Sequence, residues 1–145
     1  MLVDAGMAAG FRLKKPALSQ LHQALVHLYR QHPDAHVAVL GDPGLKWDVA
    51  AAEAAAFEGD IVAGALVCAP AGALDGTAGF LARAAAKAKA EGYDVVAFTD
   101  RAIPDVALGR LRNEAGRWSW DIDATRTLDA DQVGPPLASR RRRRR

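Results

Sequence analysis

Four aspartates stand where an apolar run ends or a helical pattern is about to begin. Asp4 follows Leu2-Val3, Asp75 precedes a helical pattern over 77–91, Asp100 follows Val95-Val96-Ala97-Phe98-Thr99, and Asp105 comes five residues later. In an open parallel sheet, ligands bind outside the carboxyl ends of the strands, so carboxylates at such places can converge on one edge. Gathered carboxylates raise one another's pKa or require a cation, and hard oxygen ligands favour Mg²⁺ or Mn²⁺ with positions left open for phosphate oxygens. The chemistry this set could perform is phosphodiester hydrolysis, with one or two metals about 3.5–4 Å apart activating water and stabilising the leaving oxygen.

The elements that must position these residues follow from the pattern. Residues 1–10 open almost at once on a strand that is expected to lie inside the sheet and to end at Asp4, followed by small residues that permit close approach. Residues 11–15 form a basic loop holding Lys14 and Lys15, and Pro16 suits a first helical turn. Leu18, Leu21, Leu25 and Leu28 give residues 17–31 one apolar face. A second strand is predicted over 36–40, ending in the turn Gly41-Asp42-Pro43-Gly44. A helix capped by Asp48 and stopped at Gly59 is expected over 48–58, then a third strand over 61–68. After the helix over 77–91 and the strand ending at Asp100, residues 106–112 read as a short helix. Residues 117–122 read as a last, antiparallel edge strand with Trp118 and Trp120 on one face. Alternation of strands and helices predicts a three-layer α/β/α, Rossmann-like domain with a mostly parallel central sheet, over residues 1–123. Residues 124–145 form a tail ending in six arginines.

Composition bounds the partners. A chain of 145 residues, half of them hydrophobic and a quarter charged, is one soluble globular domain. The net charge of +2 conceals an asymmetry: Arg140 to Arg145 hold six of nineteen basic residues, leaving thirteen basic against seventeen acidic side chains, or −4, elsewhere. Cys68, the single cysteine, excludes an intramolecular disulfide and reads as a small core residue. No stretch approaches the roughly 20 apolar residues of a membrane helix, and the N-terminus lacks the pattern of a signal peptide. A cytoplasmic protein with no membrane partner is expected.

The stretches VDAGMAAG, APAGALDGTAGFLARAA and VVAFTDRAIPD together resemble the PIN-like nucleases, in particular their NYN branch, over roughly residues 2–106. The resemblance implies a metal-dependent ribonuclease using Mg²⁺ or Mn²⁺, with Asp4, Asp75, Asp100 and Asp105 as catalytic metal ligands and Thr99 positioning substrate or water. Arg101, Lys14 and Lys15 are candidate phosphate contacts. RNA is the expected partner, and the reading allows a homodimer and a regulatory protein partner.

Two other readings stand beside it. Met7, where the family often has asparagine, and the lone acid at Asp75, where many members have two, suit a noncatalytic RNA-binding or scaffold protein. The same strand-end acids also suit a phosphatase or a nucleotide-binding protein. Residue by residue, Asp75 could merely cap a helix and Asp105 could start one. Asp42 reads as turn chemistry and at most a peripheral fifth acid. His22, His27, His32 and His36 have no zinc-motif spacing and read as surface or interface residues. Trp118 and Trp120 read as edge-strand packing rather than base stacking. The arginine run would contact phosphates without reading sequence.

Overall fold

The computed structural model describes residues 1–70, 76–101 and 103–127. Its strands are β1 (Leu2–Asp4), β2 (Ala38–Gly41), β3 (Val67–Cys68), β4 (Val96–Phe98), β5 (Ala107–Glu114) and β6 (Arg117–Thr127). Its helices are α1 (Ala5–Ala9), α2 (Leu18–Gln31), α3 (Leu45–Asp48), α4 (Ala54–Val62) and α5 (Gly76–Ala90), with a 3₁₀ turn at Ala51–Glu53. The strands form one six-stranded sheet in the order β3-β2-β1-β4-β5-β6. All neighbours are parallel except β5 and β6. The expected α/β architecture with a mostly parallel sheet is therefore present, and β1 is an inner strand.

Each inner strand is buried on both faces, so its residues divide between two cores. Val3, Val39 and Phe98 face α1 and α2, where they join Leu18, Leu21, Leu28, Phe57, Trp118 and Trp120. Leu2, Leu40 and Ala97 face the other way, toward Leu81 and Ala85 of α5. The leucine stripe of α2 is buried as its spacing predicts. The side chain of Glu53 supplies the cap that α2 lacks locally, accepting from Leu18 N and Ser19 N at 2.9 Å each.

Three expectations are corrected. Residues 45–62 hold α3, the 3₁₀ turn and α4 rather than one helix starting at Asp48. Helix α4 runs through Gly59 to Val62, leaving only Val67–Cys68 of the expected third strand. Ala-rich segments satisfy their backbone locally and so win over the short β-branched run Ile61-Val62. The third correction is β5, where a helix was expected. Gly109 sits at an irregularity in the β5–β6 register, and a Cβ there would lie 2.4 Å from Phe98 Cε2. A glycine within an apparently helical pattern thus marks close packing of a ring against a strand.

The final hairpin turns on Ala115 and Gly116, both with positive φ (54° and 84°), which suits the right-handed twist of two paired strands. Strand β6 lies at the sheet edge as expected and runs on to Thr127. Its outer edge is closed by α2: Gln31 donates to Trp118 O (2.6 Å) and accepts from Trp120 N (2.8 Å), while His27 Nδ1 accepts from Trp118 N. Side chains of a helix thereby occupy the backbone groups that a further strand would use.

Candidate functional site

The chain builds β1, β2 and β3 outward in one direction and β4, β5 and β6 in the other, which puts the topological switch point between β1 and β4. Crevices open at such a point beyond the carboxyl ends of the strands. Asp4 ends β1, and Thr99, Asp100 and Arg101 follow β4 directly.

Asp4 is only 3% exposed. Its Oδ1 accepts from Met7 N (3.2 Å) in the first turn of α1, and its Oδ2 accepts from Thr99 Oγ1 (2.7 Å) across the switch point. Arg101 Nε lies 3.7 Å from the same Oδ2, and Arg101 N donates to Thr99 Oγ1 at 3.1 Å. The buried carboxylate is thus held by three groups, one in α1 and two in the segment that follows β4, as a charge out of water requires.

Above it lies a cavity of about 350 Å³ lined by Asp4, Asp42, Asp48, Asp100, Arg101 and Thr77, among others. Asp42 also does the turn chemistry expected of it, accepting from Gly44 N at 2.7 Å. Asp48, expected to open a helix, instead closes α3 and faces this cavity. Thr77, in the first turn of α5, is 4% exposed, and its hydroxyl makes no hydrogen bond among the described residues. Neither Asp48, read only as a helix cap, nor Thr77 stood out as a site residue in the sequence. Both arrive from helices whose relation to the strand ends only the fold determines.

The expected residues meet different fates. Asp4, Thr99, Asp100 and Arg101 come together. Asp75 and the arginine run lie outside the described residues. Lys14 and Lys15 are exposed in the loop between α1 and α2, beside Pro16, which lines the acid cavity. Asp105 does not join the group. Ala107 pairs with Val96, so Asp105, two residues earlier, lies at the edge where β4 and β5 begin. There it takes a left-handed conformation (φ 60°), and its carbonyl accepts from Lys89 near the end of α5. Strand β5 is parallel to β4, so residues 99–106 must return across the height of the sheet. About 10 Å of strand, three residues, separates Ala107 from the level of Asp4.

Among the described residues no group of three acids, histidines or cysteines stands close enough to hold a metal ion. The donor set nonetheless fits a hard, hydrated cation: Mg²⁺ commonly takes one or two carboxylates and keeps several waters. Four carboxylates line one cavity, with the Thr77 hydroxyl in its wall making no hydrogen bond among the described residues, and such a lining suits a hydrated ion rather than a closed cage. Burial, and then the charge of Asp42, push the Cys68 thiol pKa up, which disfavours the nucleophilic thiolate.

A second cavity, of about 550 Å³, adjoins the first along Gly6, Met7 and Asp100 and is lined further by Phe11, Arg12, Thr99, Gly109 and Arg110. Gly109 of β5 is level with Phe98, the last residue of β4, so β5 runs five residues beyond β4. The hairpin therefore stands above the sheet as one wall of the cleft.

Fold and site together define an open α/β protein with an acid-lined cleft at its switch point. Among known proteins the chain matches no family model, no curated protein and no solved structure. No helix among the described residues is long and apolar enough to cross a membrane.

Proposed function

We propose that this chain is a metal-dependent ribonuclease that hydrolyses RNA phosphodiester bonds in the cleft between β1 and β4. The observation that supports it best is the gathering of Asp4, Asp42, Asp48 and Asp100 beside Arg101 around one cavity. Carboxylates facing a guanidinium suit a divalent cation and the phosphate it neutralises. The PIN-like resemblance of residues 2–106 supplies the substrate class.

Asp4 and Asp100 would hold the ion, with Asp42 and Asp48 reaching it through water. A bound Mg²⁺ or Mn²⁺ supplies Lewis acidity and lowers the pKa of its water. Thr99 keeps the Asp4 carboxylate aimed at the cleft, and Met7 N fixes its other oxygen. Arg101, its side chain 53% exposed, can turn from Asp4 toward a non-bridging phosphate oxygen.

The test is cleavage of labelled single-stranded RNA with Mn²⁺, Mg²⁺ or EDTA. Asp100→Asn should lower the metal-dependent rate about 100-fold or more, while Asp105→Asn, at the other edge of the sheet, leaves it unchanged. Hydrolysis of a small phosphomonoester without cleavage of RNA would move the assignment to a phosphatase. One observation favours a noncatalytic RNA-binding module as the second reading: Arg101 already offsets the charge of Asp4. RNA retention with no cleavage under any metal would establish that reading instead.

A further inference from the structure

We infer that Arg12 and Arg110 form a second phosphate site, gripping the backbone phosphate next to the one in the acid cavity, so that single-stranded RNA crosses the cleft from acids to arginines. This rests on the ribonuclease reading for the place of the scissile phosphate. The two cavities share Gly6, Met7 and Asp100, so one strand of nucleic acid can occupy both.

Their charge balance differs: the first has four acids beside Arg101, the second has Arg12 and Arg110 with Asp100, the acid both share. Asp4, Asp42, Asp48 and Asp100 surround the first, where a phosphate needs a cation for company. Arg12 and Arg110 flank the second, where a phosphate needs none. Binding and chemistry are thereby divided between the two halves of the cleft.

The two arginines are prepared differently. Arg12 sits in the left-handed region (φ 59°), which a side-chain-bearing residue rarely adopts. It reaches across the cleft to donate Nη1 to Asn113 O at 3.0 Å, with its guanidinium 5.3 Å from the centre of the Phe11 ring. That leaves most of its donors, in a fixed plane, for an anion. Arg110 is exposed on the wall opposite, and its guanidinium makes no hydrogen bond or ion pair among the described residues. A guanidinium with no partner among the described residues, across the cavity from an oriented one, suits the two non-bridging oxygens of a phosphodiester.

The experiment uses the full chain and an RNA oligonucleotide in which a phosphate flanking the cleavage position, on either side in turn, is replaced by a neutral methylphosphonate. In the unaltered protein one such replacement should raise KM about tenfold with kcat nearly unchanged. Arg110→Gln should raise KM similarly on the all-phosphate RNA and be indifferent to the replacement. Arg12→Gln should behave alike, with Arg12→Lys restoring part of the loss, and Arg30→Gln on α2 should change nothing. Equal sensitivity to methylphosphonate in the unaltered protein and in Arg110→Gln would overturn the second site and leave the nuclease standing. Should no RNA be cleaved with any metal, the nuclease reading fails and binding in EDTA decides. Arg110→Gln should then weaken retention about tenfold and reduce the salt slope by about 0.7; undiminished retention would overturn the inference.

Discussion

Asp4 is the residue on which the cleft depends, because a carboxylate with 3% exposure has few waters to turn to. Its shortest bond is the one from Thr99 Oγ1, at 2.7 Å. Thr99→Val keeps the shape of the side chain and removes that donor, leaving Oδ2 facing the partly exposed Arg101 alone. The expected cost is about 1–3 kcal/mol, read from urea unfolding. A variant as stable as the parent would mean that water replaces the hydroxyl and that Asp4 is not held as described.

At the scale of elements, α2 depends on a carboxylate far away in the chain. Leu18 N, then Ser19 N, hold the Glu53 carboxyl below its ordinary pKa of 4.5. A depressed folded pKa contributes stability that is present above the unfolded value and is lost as pH falls through the folded one. Glu53→Gln, which keeps one acceptor oxygen and loses a solvent-screened charge, should destabilise by less than about 1 kcal/mol at neutral pH, and the thermal unfolding curves of the two proteins should converge in acid below pH 4.5. A gap that persists unchanged there would show that lost packing, not the capping charge, explains the effect. The β5–β6 hairpin is the other decisive element: Gly109 lets the Phe98 ring lie against it, and Arg12 ties its far end to the α1–α2 loop.

The whole molecule has two cores joined through strands that contribute to both. Trp118 and Trp120 report from the α2 face, and Leu81 lies fully buried on the α5 face. Residues 2 and 3 of one strand point into opposite cores, so neither face can come apart alone. Leu81→Ala should cost about 2–5 kcal/mol, and tryptophan fluorescence should follow circular dichroism to the same lowered midpoint. Fluorescence that kept its original midpoint would show that the two faces unfold independently.

What the sequence determined by itself was local and periodic. The stripe Leu18, Leu21, Leu25 and Leu28, the alternation of Trp118 and Trp120, and the apolar runs ending at Asp4 and Asp100 announced helix, edge strand and inner strands, since solvent exposure imposes those periods on any chain. The pairing of Asp4 with Thr99 and Asp100 was legible because parallel strands deliver their ends to one edge. Asp105 was not legible. Its five-residue distance from Asp100 is the same whether the chain lingers above the sheet or returns beneath it, and only the parallel pairing of β4 with β5 sends it to the far edge. Asp48, Thr77, Arg12 and Arg110 likewise gained their places from packing between elements distant in sequence. Burial and register, not spacing, decide which side chains share a cavity.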